Sequence, residues 1–194
     1  DTLSIDTKII VNIDDEYGKK FFTEATNRGL KVETIGFSDI ADVKLRVTQG
    51  TLGTQFIEIV RGDLVYKFQT HLIGEFQAAN LGMALLTCET FGFKFDELVC
   101  FCDTLKPVPG RLEFVGKTKK GALVYIDFAH TPDALKNLLK TLRGLTKGKL
   151  LLVFGAGGER DKDKRKSMGA IAYKYCDLIY VTDDNPRNED SKSI

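Results

Sequence analysis

No charge of one sign dominates this chain. Its 194 residues carry 28 Lys and Arg against 27 Asp and Glu, a formal net charge of +1. That balance provides no basic footprint for nucleic acid and no cationic surface for an anionic membrane, so any recognition of charge must be local. No apolar run approaches the roughly 20 residues that a membrane-spanning helix needs, and the first residues lack a signal-peptide pattern. The expectation is a cytoplasmic protein. Low-complexity tracts are missing as well. The chain has only four cysteines, and Cys88, Cys100, Cys102 and Cys176 have neither zinc-ligand nor C-x-x-C spacing. Buried, reduced thiols are expected. Proline also occurs only four times, and each of the four stands where the chain changes its course.

What is present is ordinary for a globular protein with a substantial core: 43% hydrophobic and 28% charged residues. "KIIVNI" (8–13) reads as a buried strand, followed by a loop at Asp14-Asp15 and a helix running to Asn27 with Gly29 as its stop. "KVETIGF", "ADVKLRVTQ", "TQFIEIV" and "DLVYKFQ" read as strands, the last two joined as a hairpin at Arg61-Gly62. "GEFQAANLGMALLTCETFG" is apolar nearly all round and reads as a buried helix. "FDELVCFCDTL" is a second helix, with Asp96 in its first turn. Then "KPVPG" places Pro107, Pro109 and Gly110 within five residues, which no helix continues through. This is the expected boundary between a domain over residues 1–106 and another over 107–194.

Beyond it the pattern changes. "RLEFVG" and "ALVYIDFA" flank the polar turn "KTKKG" as a hairpin, and from there strands alternate with helices up to "DLIYVT". Such alternation means an α/β fold with a mostly parallel sheet and right-handed crossovers. In these sheets ligands sit outside the carboxyl ends of the strands, and three strand exits carry polar or glycine-rich sequence. At the first, the strand ends at Asp127. Thr131 is a helix N-cap, Pro132 fits the first helical position, and His130 stands just before the exposed N–H groups of that helix, a possible anion site. Asp127 and His130 could equally serve loop backbone groups. At the second, "GAGGERDKDKRK", the glycines allow a tight turn. Every residue from Glu159 to Arg165 is charged, which usually means a solvated loop, but Arg160 follows the glycine turn directly. At the third, "VTDDNPRNED", Pro186 fixes its own φ and biases Asn185 away from the helical region. An arginine so placed, Arg187, can meet a carboxylate through two parallel hydrogen bonds, with Asp184 and Asn185 beside it. An exposed arginine on a simple turn is the competing reading.

Taken in order, "VPGRLE", "DFAHTPDALKNLLKTL", "VFGAGGERDKDKRKSMG" and "VTDDNPRNED" resemble the Mur ligases of bacterial cell-wall synthesis, in particular the branch that adds meso-diaminopimelate. "VNIDDEYGKK" and "GEFQAANLGMALL" resemble the central domain of that family. The resemblance implies the later part of a central ATP-binding α/β domain followed by the first part of a Rossmann-like C-terminal domain that binds the amino acid. It implies ATP-dependent amide formation with Mg2+, acting on UDP-muramoyl dipeptide and meso-diaminopimelate, and no nucleic-acid or membrane partner. It implies that Arg187 and Asn185 bind the amino acid through a carboxylate, with Asp184 and Pro186 shaping the turn and Arg160 assisting. Asn80 would contact adenine; otherwise it is a hydrogen-bonded core residue. Arg111 would reach the ATP phosphates across the domain boundary, Asp127 would hold the ribose, and His130 would lie near the phosphates as the catalytic residue of this segment.

The sequence departs from the family at Phe128, where tyrosine is frequent, at Gln77 (asparagine), at Glu159 (aspartate) and at Lys166 (proline). It contains no G-x-x-G-K-[ST] phosphate loop, no site for the carbamylated lysine of the family and no uridine-nucleotide domain. The expectation is therefore a piece of a larger ligase, inactive without the rest of that ligase chain. Two other readings stand beside it: a related ligase with another amino-acid substrate, of the folylpolyglutamate synthase kind, and a non-catalytic α/β anion-binding module.

Overall fold

The structure, a computed structural model, describes residues 3–50 and 53–194. The first two residues of the expected first domain, Asp1 and Thr2, lie outside the described residues. The chain forms two compact units, one ending at Pro107 and the other spanning Val108–Ile194.

In the first unit, β1 (Lys8–Asn12), α1 (Glu16–Asn27) and β2 (Lys31–Gly36) form a crossover whose strands pair in parallel. Asp15 caps α1, its Oδ1 accepting from the Gly18 N–H at 2.7 Å, and the chain leaves the helix through Gly29 at φ 72°. β2 pairs in parallel with β3 (Val43–Gln49). β4 (Gln55–Arg61) and β5 (Leu64–Thr70) then continue the sheet antiparallel. The order is β1-β2-β3-β4-β5. Period-2 alternation sorts the antiparallel half into two faces. Arg46, Glu58 and Lys67 stand directly opposite one another on the outer face, with Glu58 joined to Arg46 at 3.1 Å and to Lys67 at 2.7 Å. Leu45, Ile57 and Ile59 point inward and are buried.

The helix α2 (Glu75–Thr90) covers that inner face. Its Ala78, Ala79, Leu81, Leu85 and Leu86 join Ile35, Val43, Leu45, Ile57 and Ile59 in one core. Each fully buried Leu or Ile there is worth about 1.5–3 kcal/mol relative to exposure. Gly82 lets the helix approach closely, since a Cβ at that position would lie 2.5 Å from Ile35 Cδ1. Only one side of α2 is buried, however. Asn80, Ala84 and Thr87 are exposed, because small and polar outer residues do not require a second covering layer. The next helix, α3 (Phe95–Val99), is shorter than expected. From Phe101 onward the N–H groups bond three residues back, Phe101 to Leu98 and Cys102 to Val99, so the chain tightens into turns. This sends Cys102 into the core and leaves Phe101 outside. The expectation of four buried thiols is corrected in the same place: all are free, but Cys100 is exposed and Cys88 and Cys176 are half-buried. Burial pushes the Cys102 thiol up to about 11.

The second unit opens with the hairpin β6 (Glu113–Lys117) and β7 (Leu123–Ile126), antiparallel with an irregularity at Phe114/Gly116. Then α4 (Pro132–Leu145), β8 (Leu151–Phe154), α5 (Asp163–Tyr175) and β9 (Leu178–Val181) alternate, followed by a 3-10 turn at Ser191–Ser193. α4 begins where its caps predict: Thr131 Oγ1 accepts from the Ala134 N–H at 3.3 Å, with Pro132 at the first position. β8 and β9 pair in parallel, and α4 and α5 pack together through buried Leu135, Leu138, Leu139, Met168 and Ala172. Asp177 fixes the entry to both strands, its Oδ2 accepting from the Leu150 N–H and from Arg143 Nη1, each at 2.7 Å. Those bonds, the backbone one foremost, hold its carboxyl below the usual range.

One expectation needs amending. Among the described residues, β7 makes no ladder with β8 or β9, so the single sheet expected here is two separate pairs. β7 is only four residues long and its ladder runs to β6. It ends at Ile126, and past it the backbone turns elsewhere, with the Phe128 N–H donating to the Gly110 carbonyl at 2.8 Å.

Candidate functional site

All three strand exits of the second unit open on one cavity of about 480 Å³. At the first exit, Asp127 Oδ2 accepts from the Leu112 N–H at 2.7 Å and Oδ1 from the Ala129 N–H at 2.8 Å. Leu112 is buried and sits at φ 49°, a left-handed position that an L residue reaches only when it is held there. Asp127 thus organises the loop, the simpler of its two sequence readings. It leaves His130 at the cavity. The Nδ1 of His130 lies 3.0 Å from the Phe128 carbonyl oxygen. A carbonyl only accepts, so Nδ1 carries the proton and Nε2 is the free nitrogen. Arg111 lies over the Phe128 ring at 5.2 Å, a contact worth about 0.5–1 kcal/mol at an exposed site.

The second and third exits are joined to each other. The Gly158 N–H donates to the Asn185 carbonyl at 2.9 Å, and Arg187 Nη1 turns back to donate to the Gly158 carbonyl. Gly158 is buried, and a Cβ on it would overlap the Pro186 carbonyl oxygen. The glycines are therefore required less for unusual φ than for this backbone-on-backbone contact. Arg187 is exposed, but it is not turned away: its guanidinium rests on the glycine turn and lines the cavity beside Arg160. Pro186 alone does not hold it. Arg187 itself sits at φ 52°, as does Glu159 on the facing loop, each at a cost of about 1–2 kcal/mol for an L residue.

Sequence reasoning missed what holds those two residues in place. Glu189 accepts from Arg165 Nη1 and Nη2, each at 2.8 Å, and from the Glu159 N–H at 3.0 Å, and Lys162 Nζ stands 2.9 Å away. Arg165, the Glu159 N–H and Lys162, in that order, hold the Glu189 carboxyl far below its usual range. Asn188 adds a bond to Glu159 Oε1 at 3.1 Å. The only signal in the sequence was a charged run on each of two loops that must face one another, and such runs usually remain solvated.

The cavity brings together His130, Arg160, Asp184, Asn185 and Arg187, and adds Lys164, Phe128 and Met168. Lys164 also donates to the His130 carbonyl at 2.9 Å. Three cations face one carboxylate, Asp184, so the cavity suits an anion, and the two guanidiniums suit a carboxylate or phosphate best. Pro186 lines a neighbouring cavity of about 400 Å³ together with Arg165, Ser191 and Ile194. Asp127 and Arg111 flank the first exit without lining the 480 Å³ cavity. Asn80 belongs to the first unit, exposed on α2, which excludes the core-residue alternative for it. Among the described residues, no group of three or more His, Cys, Asp or Glu side chains is placed to hold a metal ion. Among the same residues, no helix is long and apolar enough to cross a membrane.

Residues 1–88 match the family description "Mur ligase middle domain", and residues 110–194 match "Mur ligase, glutamate ligase domain". The chain belongs to the Mur ligase family. A UDP-N-acetylmuramoyl-L-alanyl-D-glutamate--2,6-diaminopimelate ligase of Agrobacterium fabrum is 38% identical over 185 residues, covering 95% of this chain and 38% of the relative. A solved structure of a ligase with the same substrate name is 32% identical, with a TM-score of 0.61 over 97% of this chain and 39% of that one. The MurF ligase of Thermotoga maritima in complex with ADP shares the fold, with 20% identity and a TM-score of 0.71 over 94% of this chain and 42% of that one. This Mur ligase segment thus spans about two fifths of the length of the relatives it matches. Its mixed α/β architecture, with parallel strands in both units, is the family's fold.

Proposed function

We propose that this chain is part of an ATP-dependent amide ligase that joins meso-diaminopimelate to UDP-N-acetylmuramoyl-L-alanyl-D-glutamate in peptidoglycan precursor synthesis. The observation that carries the reading is the Arg187 guanidinium folded onto the glycine turn beside Arg160, in a cavity where cations outnumber carboxylates. The relatives named for the same reaction support it. In this chemistry a carboxylate oxygen of the dipeptide attacks the γ-phosphorus of ATP, the bond to the β-phosphate oxygen breaks, and an acyl phosphate and ADP result. The amine of diaminopimelate then attacks the acyl carbon, loses a proton, and expels inorganic phosphate. Such a reaction depends chiefly on positioning and on neutralising charge.

In this reading Arg187 and Arg160 grip the carboxylate of diaminopimelate that is remote from the reacting amine. Asn185 contributes a neutral contact, and Asp184 and Pro186 set the shape of the turn. Lysine lacks that second carboxylate, so it would leave the arginines unpaired. His130, with Nε2 free, would face the phosphates and Arg111 would neutralise them. Asn80 would contact adenine and Asp127 the ribose. Both Asp127 oxygens already accept a backbone N–H, so a ribose hydroxyl would have to use their second lone pairs. Mg2+, which this reaction class implies, would take its ligands chiefly from the rest of the ligase, as would the phosphate loop. The 194-residue chain alone is therefore expected not to turn over ATP, and the intact ligase is expected to work in the cytoplasm.

The test is Arg187→Ala in the full-length ligase. Loss of a charge-assisted pair worth about 1.5–3 kcal/mol raises KM for meso-diaminopimelate roughly 10- to 150-fold, while KM for ATP stays put. An unchanged KM for diaminopimelate, or wild-type enzyme that accepts lysine equally well, refutes the assignment.

A further inference from the structure

Glu189 has no place in the chemistry above, yet it is the most heavily engaged carboxylate of the second unit. It lies two residues past Arg187, and its side chain is only 11% exposed. One oxygen takes Arg165 Nη1 and Lys162, and the other takes Arg165 Nη2 and the Glu159 N–H. Its own N–H closes a turn on the Pro186 carbonyl at 3.0 Å. Through these bonds a single side chain grips the first turn of α5, the loop after the glycine turn and its own loop. Two of the L residues at left-handed φ, Glu159 and Arg187, flank that grip, one from each loop. Neither conformation is one that an isolated loop would keep.

We propose that Glu189 is a positioning residue for the anion cavity: it locks the glycine turn to the Asn185-Pro186-Arg187 loop, so that Arg160 and Arg187 present their guanidiniums together. The inference rests on reading that cavity as the diaminopimelate carboxylate site. Glu189 touches no ligand in this scheme. It acts through the Glu159 N–H and Arg165, which in turn donates to the Gly157 carbonyl at 3.3 Å. A glutamine in its place keeps the shape but has one oxygen where two are needed, and its amide group would point a donor at donors.

Two measurements on Glu189→Gln separate this role from plain stabilisation and from the substrate assignment. The first needs no ligand: amide hydrogen exchange at Gly158 and Glu159 speeds up about tenfold or more, while Leu139 in the core of α4 keeps its wild-type rate. Equal acceleration at all three sites, or none at Gly158 and Glu159, overturns the proposal. The second uses the full-length ligase: KM for meso-diaminopimelate rises about tenfold while KM for ATP stays within about twofold. If wild type uses diaminopimelate and the variant leaves its KM unchanged, the positioning role is wrong. If wild type rejects diaminopimelate while exchange at the two loops still changes locally, the substrate assignment fails and the lock stands. Should Glu189→Gln not fold, Arg165→Lys breaks the two-pronged contact more gently. It is then expected to show the same local exchange pattern, and its absence there counts equally against the idea.

Discussion

Two glycine-to-alanine changes in the second unit should have opposite effects, and the structure says by how much. Gly158 is buried, and a Cβ on it would overlap the Pro186 carbonyl oxygen and approach Glu189 Cβ to 3.1 Å. A carbonyl inside a tied loop cannot step aside as a side-chain tip can, so overpacking of about 1–3 kcal/mol is expected. The reduced freedom of the unfolded chain returns only about 0.4–1 kcal/mol. The net is a loss of roughly 1–2 kcal/mol, or a Tm lower by several degrees for a unit of this size. Gly144 lies inside α4, where a Cβ would meet nothing within 4 Å. Gly144→Ala should therefore gain about 0.5–1 kcal/mol. Thermal and urea unfolding of both variants measure this directly. If Gly158→Ala is as stable as wild type, the close approach of the two loops is not as described; if Gly144→Ala loses as much as Gly158→Ala, the open surroundings of Gly144 are not.

The remaining predictions concern charge and hydrogen bonding in the same unit. Asp127→Asn leaves one of the Leu112 and Ala129 N–H groups facing an amide donor, so urea unfolding should show a loss of about 1–3 kcal/mol. Glu189 and Asp177 both titrate below the ordinary carboxylate range when folded. Groups depressed in this way give their full contribution above the unfolded-state value and lose it as pH falls through the folded one. Stability measured by urea titration should therefore be flat near neutrality and decline below about pH 4. Glu189→Gln should flatten part of that decline, and an identical acid profile in the variant would contradict the sign.

The sequence was most legible where one residue type has one structural use. Thr131-Pro132-Asp133 announced the start of α4, the turn at Gly62 announced the hairpin, and the Asn185-Pro186-Arg187 run at a strand end pointed to the cavity. It was least legible where the answer lay in distant pairing. Arg165 and Glu189 are separated by 24 positions, and nothing local distinguishes them from their solvated neighbours until the fold brings them together. The early end of α3 was hidden for a related reason. "FDELVCFCDTL" has helical composition throughout, and it is the core's demand for Cys102 that draws the chain into turns. The separation of β7 from β8 likewise could not be read from alternation, which reports faces and not edges.

The walls of the cavity differ in how firmly they are fastened. Between the glycine turn and the Asn185-Pro186-Arg187 loop there is a multiply bonded seam, with main-chain, guanidinium and carboxylate links crossing it. Between the glycine loop's helix and the His130 segment, the hydrogen bond among the lining residues is one lysine ammonium on one carbonyl. A ligand too large for the space would therefore pry at the histidine side first, letting that rim yield while the paired guanidiniums keep their spacing.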